Sequence, residues 1–373
     1  MRGLGHIVET DVLVCGLGPA GASAARAAAQ SGASVIAIER NARPGLPVQC
    51  AEFVPMMLGS ELPDVSKSSV QDIREMRTFV GGENAKTMPD FRGHIINRAL
   101  FDQRLIESAM QAGARCHFAA PLRGIGDNGT TNAGPDMAIR CKVIIGADGP
   151  RSPVALAAGL GNRDFVETRQ ITVDLRVPHN ATDIFLHRKI AGGYAWLFPK
   201  GDVCNVGLGV DPAYKHHLKP LLEKLHRQLV GEGRVGAEIH KSTGGLIPVG
   251  GISGLTGKIG AAPALICGDA AGLTNAVTGA GINSAVVSGR LAGEAAGRMA
   301  AGDADAADDY RAEVESLFAR SIAHSVRKRR ELMRLYDNGL PEDRDLRDGW
   351  IAFPQYWQQS GAAAKSDKAR EMV

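Results

Sequence analysis

Residues 11–40 read DVLVCGLGPAGASAARAAAQSGASVIAIER: a short apolar run, a glycine cluster, an Ala-rich stretch and a second apolar run that ends in an acid. The spacing predicts a strand over residues 11–15, a helix over 19–31 stopped by Gly32, and a second strand over 34–39. This is the order of a βαβ unit, and Gly16-Leu17-Gly18-Pro19-Ala20-Gly21 fills its turn. Gly16 permits the tight turn, Gly18 lets a pyrophosphate approach the backbone, and Gly21 lets helix and strand pack closely. The helix start offers unpaired N–H groups and a partial positive charge to phosphates. Glu39 falls eighteen residues after Gly21, where a carboxylate can accept the hydroxyls of an adenosine ribose, with Arg40 beside it as a further binding candidate. A glycine-rich turn without function is the plain alternative for a GxGxxG on its own. The flanking strand, helix and spaced acid point instead to an ADP moiety, with NAD and FAD both open at this stage.

The whole chain sets the bounds. Its 373 residues suffice for two domains with ample core. A formal net charge of +3, with acids and bases mixed, gives no single-sign field, so no nucleic-acid partner is expected. The sharpest basic cluster, Arg327, Lys328, Arg329 and Arg330 beside Glu331, reads as a solvated or phosphate-facing helix face. The six cysteines are scattered without a CxxC, which argues against a disulfide frame or a zinc site, and no metal is expected. The first ten residues are polar without an apolar core, so no secretory signal is expected. There is no run of ~18 apolar residues to span a bilayer, and a cytoplasmic location is the expectation.

Two later segments choose between the nucleotides. CKVIIGADGPRSPVA, residues 141–155, is a buried strand running into Gly146-Ala147-Asp148-Gly149. Residues 264–297, ALICGDAAGLTNAVTGAGINSAVVSGRLAGEAAG, form another buried strand ending in Gly268-Asp269, with a glycine-rich turn and a long helix behind. A simple nicotinamide dehydrogenase has no use for this second strand and acid; a flavin does, because its ribityl hydroxyls need an acceptor. Together the three motifs resemble the FAD-binding fold of the p-hydroxybenzoate hydroxylase superfamily, with Asp148 in its "DG" motif and Asp269 in its "GD" motif. The resemblance implies FAD, with Asp269 on the ribityl chain. It also implies that Gly279, Ala280, Gly281, Ile282 and Asn283 present N–H groups and a helix start to the pyrimidine edge of the flavin. NRALFDQRL, residues 97–105, matches the family helix beside the cofactor and makes Arg98 a candidate FAD contact, the alternative being an ordinary surface arginine.

Between these motifs the chain resembles a narrower group, the geranylgeranyl reductase family. PGLPVQCAEF (44–53), GGYAWLFPKGDVCNVGLGV (192–210) and GGLIPVGG (244–251) carry the resemblance. Tyr194, Trp196 and Phe198 alternate at period two and so share one strand face. The resemblance makes that face the floor of the substrate pocket; a packed sheet face with no ligand is the plain alternative. Cys15, Cys141 and Cys267 lie in apolar strands and read as buried small side chains. Cys50 differs: it sits in a Pro-rich loop beside Glu52, and the family places its corresponding cysteine over the flavin. Two departures stand out. Cys50-Ala51-Glu52 replaces the commoner Cys-Gly-Glu, and residues 121–139 are short and Gly/Asn/Thr-rich where relatives carry a β-meander.

The expected fold class is α/β, a Rossmann-like FAD-binding domain interleaved with an antiparallel-sheet substrate domain, plus a helical tail. FAD-binding pieces 1–45, 95–165 and 260–300 alternate with substrate-domain pieces 46–94 and 166–259, and residues 301–373 form the tail, ragged over the last fifteen. The function implied is an FAD-dependent oxidoreductase that reduces carbon–carbon double bonds of an isoprenoid substrate. An isolated alkene accepts hydride poorly, so a proton donor must serve the other carbon from a dry pocket. A thiol suits this better than a carboxylate, which is costly to bury charged. Cys50 is the candidate acid, with Tyr194 a weaker one. NADPH, NADH or a ferredoxin-like donor would act transiently, since no second complete GxGxxG appears. A hydrophobic or aromatic substrate, a prenyl lipid among them, is compatible with peripheral membrane contact; oligomeric state is not indicated. The alternative is a monooxygenase that hydroxylates an aromatic ring, free or peptide-borne, through a C4a-hydroperoxide, although a thiol over the flavin would be an oxidation target there. A flavin-binding protein without turnover is the third reading.

Overall fold

The computed structural model of the chain describes residues 7–56, 65–82, 84–126 and 130–358. Strand β1 (Ile7–Cys15), helix α1 (Pro19–Gln30) and β2 (Val35–Ile38) follow as a βαβ unit, with Val12 opposite Val35 and Cys15 opposite Ile38 in parallel register. β1 begins earlier than its apolar run because Ile7 to Thr10 already pair with β9 (Met137–Gly146). The first sheet has the order β15 (Thr256–Ile259), β16 (Ala262–Ile266), β9, β1, β2 and β6 (Arg115–His117). All these neighbours run parallel except β15 with β16. Parallel strands are covered on both faces and read as continuous apolar runs, and residues 12–15, 35–38 and 143–145 are accordingly all buried.

Helix α1 lies against α5 (Ile282–Ala300). A Cβ at Gly289 would fall 2.1 Å from the Ala20 carbonyl oxygen, and one at Gly293 2.2 Å from that of Ala24. Small residues on both helices thus set an approach that larger ones would forbid.

One expectation fails in this part of the chain. Residues 121–139 do form a meander, with β7 (Leu122–Ile125) and β8 (Thr131–Ala133) antiparallel to each other and β8 antiparallel to β9. Its first two strands are reduced to four and three residues, and Gly126 and Gly134 fall between the strands.

The second sheet has the order β14 (Val235–Pro248), β10 (Phe165–Leu175), β13 (Val203–Val210), β12 (Ala195–Lys200), β11 (Ala181–Leu186), β4 (Ser69–Val80), β5 (Lys86–Ile96) and β3 (Phe53–Pro55). It is antiparallel but for β11 and β4, which run parallel. A long excursion through the first sheet separates these two strands in sequence, which a parallel pair requires and a hairpin does not. The chain passes between the sheets four times, after β2, β5, β9 and β14. Two shorter-range helices, α2 (Arg98–Gln111) and α3 (Pro153–Ala157), belong to the first sheet's connections, and α4 (Leu218–Gly231) packs Leu218, Leu222 and Leu229 on the second sheet.

The tail comprises α6 (Ala306–Asp337), α7 (Asp343–Asp348) and α8 (Pro354–Trp357). Tyr310, Val314, Ile322 and Val326 of α6 join the first core, while Leu346 and Trp350 join a cluster on the second sheet. The basic run in α6 is not one solvated face. Lys328 and Arg329 are buried; Arg329 donates to the Gly192 carbonyl and pairs with Asp211 at 3.1 Å, and Lys328 donates to the Gln355 carbonyl at 3.2 Å. Successive helix residues turn by about 100°, so four adjacent bases cannot share a side. The last fifteen residues lie outside those described. Among the described residues no helix is long and apolar enough to cross a membrane.

Candidate active site

One cavity of about 2260 Å³ is lined by residues of both sheets, by the loops around residues 49–53, 243–256 and 273–285, and by α6. It exceeds the ~300–1,000 Å³ of an ordinary small-molecule pocket and has room for a cofactor and a long substrate together.

At one end stands the start of α1. Its N-cap, Gly18, brings no side-chain cap, and Pro19 occupies the first helical position; Gly18, Pro19 and Ala20 line the cavity. A Cβ at Gly16 (φ +92°) would lie 2.5 Å from the Ala147 carbonyl oxygen, and one at Gly21 1.8 Å from that of Gly16, whereas one at Gly18 would meet nothing within 4 Å. Packing therefore accounts for Gly16 and Gly21, while Gly18 borders open space beside unpaired helix N–H groups. Glu39 and Arg40 are outside the cavity lining. The Glu39 carboxylate accepts from the Leu17 N–H at 3.0 Å and the Asn41 N–H at 2.9 Å, fastening the glycine turn to the end of β2. Asp148 also lies outside the lining, between Ala147 and Gly149, which line it. Its carboxylate accepts from the Ser152 hydroxyl and from the Val154 N–H at 3.3 Å, bracing the start of α3, and burial raises its pKa.

The second acid is placed differently. Asp269, in the one-turn helix Gly268–Ala271 after β16, is half-buried and lines the cavity. Among the described residues its carboxylate accepts one hydrogen bond, from the Thr274 hydroxyl at 3.2 Å, and burial raises its pKa. Gly268 brings this turn against α1, since a Cβ there would lie 2.8 Å from that of Ala20. Helix α5 starts after Gly281, again without a side-chain cap, and Gly279, Gly281, Ile282 and Asn283 line the cavity. Two uncapped helix starts supply donors, and one carboxylate keeps acceptor capacity for hydroxyl groups. Those residues fit a flavin dinucleotide.

Arg98 also lines the cavity, but it is not an ordinary surface arginine: its side chain is 17% exposed and forks onto Asp102, Nε to Oδ1 at 3.0 Å and Nη2 to Oδ2 at 3.1 Å.

Cys50 is half-buried on the cavity wall, where its Sγ accepts the Glu52 N–H at 3.2 Å. Burial pushes its thiol pKa up, against the opposing pull of the Arg98 guanidinium. Its carbonyl accepts from Gln170 Nε2 at 3.1 Å, and Gln170 Oε1 accepts from Trp196 Nε1 at 3.0 Å, so one amide ties the cysteine loop to the aromatic strand. Tyr194 precedes β12 rather than lying within it, yet its ring, Trp196 and Phe198 all line the cavity. Trp196 and Phe198 are each 7% exposed and also pack in the second sheet's cluster, so the lining role and the packing role coincide. Burial raises the Tyr194 hydroxyl, which donates to the Thr278 carbonyl at 2.6 Å, next to the glycine-rich turn.

Sequence reasoning missed what holds the cysteine loop. Glu52 is 3% exposed with φ +71°. Its carboxylate accepts from the Arg98 N–H at 3.0 Å, Lys200 Nζ at 2.6 Å and Asn205 Nδ2 at 3.1 Å. The available signal was polar residues at strand positions that burial would demand be paired: Asn205 between Cys204 and Val206, and Gln170 before Ile171.

Comparison with known proteins bears on both halves of the chain. A family model described as geranylgeranyl reductase catalytic domain matches residues 165–246, and one described as FAD dependent oxidoreductase matches residues 11–149. The chain is 34% identical to digeranylgeranylglycerophospholipid reductase 2 of Methanosphaera stadtmanae over 90% of this chain and 91% of that protein. It is 32% identical to digeranylgeranylglycerophospholipid reductase of Methanocella arvoryzae over 89% of each. A solved structure of a geranylgeranyl bacteriochlorophyll reductase-like protein from Thermoplasma acidophilum superposes with a TM-score of 0.81 at 25% identity, covering 91% of this chain and 90% of that one. Similarity on this scale spans the glycine turn, both sheets and the aromatic strand at once, and the chain belongs to the geranylgeranyl reductase family of FAD-dependent oxidoreductases.

Proposed function

We propose that the chain saturates carbon–carbon double bonds of an isoprenoid substrate. The observation that carries this is the place of the half-buried Cys50 thiol, on the same cavity wall as Tyr194, Trp196 and Phe198 and in one cavity with the uncapped start of α5. FAD, when bound and reduced, supplies the hydride. The helix start at Gly18, Pro19 and Ala20 would hold its diphosphate, Glu39 and Arg40 would lie toward the adenosine, and Asp269 would accept from the ribityl hydroxyls. Residues 279–283 would serve the pyrimidine edge, with Arg98 nearby. Gly16, Gly21, Gly268 and Asp148 would shape these turns rather than touch the cofactor.

The chain's own part is to exclude water and to hold a proton. The three rings offer an apolar wall to a prenyl chain. Because burial raises the Cys50 pKa, its Sγ keeps its proton at neutral pH and can give it to the alkene carbon that does not receive hydride; the thiolate then recovers a proton from solvent. Tyr194 is the weaker donor, since its proton is committed to the Thr278 carbonyl. NADPH, NADH or a ferredoxin-like protein would reduce the flavin transiently, and a substrate of this class implies peripheral contact with a membrane.

The test is single-turnover product yield from pre-reduced enzyme. In Cys50→Ala flavin content and flavin reduction should stay at wild-type level while product formation falls by about 10²–10⁴-fold, the usual contribution of a general acid. Wild-type rate and yield in that variant would end the assignment.

A further inference from the structure

The cavity continues past the residues used above and runs along α6, where Arg320, Arg327, Arg330 and Arg334 line it. At about 1.5 Å per residue, Arg327 to Arg334 covers roughly 10 Å of helix. Among the described residues no carboxylate pairs with Arg320, Arg330 or Arg334, although Glu315 and Glu331 belong to the same wall. Arg311, also in the wall, is taken up by Asp308 at 2.8 Å. Arg327 donates from Nη2 to Nδ1 of His324 at 2.8 Å, and His324 donates from Nε2 to the Tyr356 carbonyl at 2.8 Å. The imidazole thus keeps one tautomer and aims the Arg327 fork.

Like charges three and four residues apart on a helix repel, and an anion among them relieves that cost. Guanidinium forks match phosphate oxygens two at a time, which lysine cannot do. The same stretch exposes apolar surface: Leu317 is 51% and Trp357 65% exposed, both line the cavity, and the Trp357 ring stacks on His324 at 6.2 Å. A basic rim beside exposed apolar side chains suits a molecule with an anionic head and a hydrocarbon tail.

We propose that Arg327, Arg330 and Arg334 bind the phosphate-bearing end of the isoprenoid substrate, placing the head at α6 and the chain against the aromatic wall. This rests on the reading of the cavity as an isoprenoid site.

The experiment uses the full-length, FAD-loaded, oxidised protein and two probes in detergent: geranylgeranyl diphosphate, and geranylgeraniol, the same chain ending in a hydroxyl. Calorimetric binding should favour the diphosphate by about ten- to a hundredfold, the worth of a few charge-assisted contacts. Arg327→Gln/Arg330→Gln/Arg334→Gln should erase that preference and leave geranylgeraniol binding unchanged. Arg330→Glu, a single change at an exposed helix position, should weaken the diphosphate probe at least tenfold and covers the case of a triple variant that does not fold. Equal binding of both probes by wild type, or a preference that survives both variants, overturns the proposal. So does inorganic diphosphate binding as tightly as the lipid probe, which would make this a site for a free anion. Loss of NADPH-driven flavin reduction with lipid binding intact overturns it as well, because the phosphate served would be the nucleotide's. If the arginine-dependent preference is seen while neither probe is reduced, the proposed reaction falls and the head-group site stands.

Discussion

At the scale of single residues, Cys50, Ala51 and Glu52 show what a side chain can and cannot announce. Cys50 stood out because it lies in a loop and not in an apolar strand. Glu52 did not, because its partners Lys200 and Asn205 are about 150 residues away and no local pattern links them. A carboxylate that is 3% exposed persists only when its oxygens are paired, and here three donors hold it and with it the cysteine loop. Asp269 is the opposite case, a partly satisfied acid with capacity to spare. Burial raises its pKa above the ordinary 3.8. Without cofactor this carboxyl therefore works against the fold as pH rises from about 3.8 through the raised value, because the folded state holds the proton longer. Hydroxyl donors favour the charged form, so FAD affinity should strengthen as pH rises through the same window and level off above it. Asp269→Ala should remove that dependence and weaken FAD by about ten- to a hundredfold while the protein stays folded. Flavin fluorescence titrations at several pH values check both, and unchanged flavin retention would remove Asp269 from the cofactor site.

At the scale of elements, the βαβ unit was readable because each signal is local: apolar runs for parallel strands, a glycine turn, a Pro at the helix start. The reduced meander was not, since strands of three and four residues are shorter than any period can reveal. The contact between α1 and α5 depends on residues some 270 apart, yet its requirement is simple. Gly289→Ala would drive a methyl group into the Ala20 carbonyl, and overpacking of this kind costs about 1–3 kcal/mol. Since both helices begin at the cavity, FAD retention should fall too. Gly231→Ala, where an added Cβ meets nothing within 4 Å at the end of α4, should be neutral or slightly stabilising. Denaturant midpoints of the two variants separate packing from propensity. Strand ends offer a second check. The Asp11 carboxylate holds Ser34 at its N–H (2.9 Å) and hydroxyl (2.6 Å) and Lys142 at 2.8 Å, joining β1 to the entrance of β2 and to β9. Lys142 and Ser34 lower its pKa to about 2. Its contribution is therefore full above about pH 3.8 and is lost as pH falls toward about 2. Asp11→Asn should be less stable than wild type at neutral pH, and the difference should shrink across that acid window.

At the scale of the whole molecule, two sheets with separate cores share one cavity, and the tail reaches both. Composition indicated that the tail was helical but not where it docked, because a tryptophan in a polar segment gives no address. Trp350 is 3% exposed, donates from Nε1 to the Thr78 hydroxyl at 3.1 Å, and brings its ring to 4.8 Å from that of Tyr194. It therefore extends the aromatic wall, lining the cavity beside Tyr194 while packing in the second sheet's cluster. Trp350→Ala should cost about 3–5 kcal/mol through the cavity it leaves, and should also strand the buried Thr78 hydroxyl. Trp350→Phe keeps a ring against Tyr194 but likewise leaves the Thr78 hydroxyl without the indole N–H, so it should cost about 1–3 kcal/mol. If the wall serves the substrate, Trp350→Ala retains FAD and its reduction but raises the substrate KM and lowers kcat, while Trp350→Phe stays near wild type in both. Loss of flavin from Trp350→Ala ahead of any loss of substrate binding would instead make the tail a brace for the cofactor half, and the division of labour between the sheets would have to be redrawn.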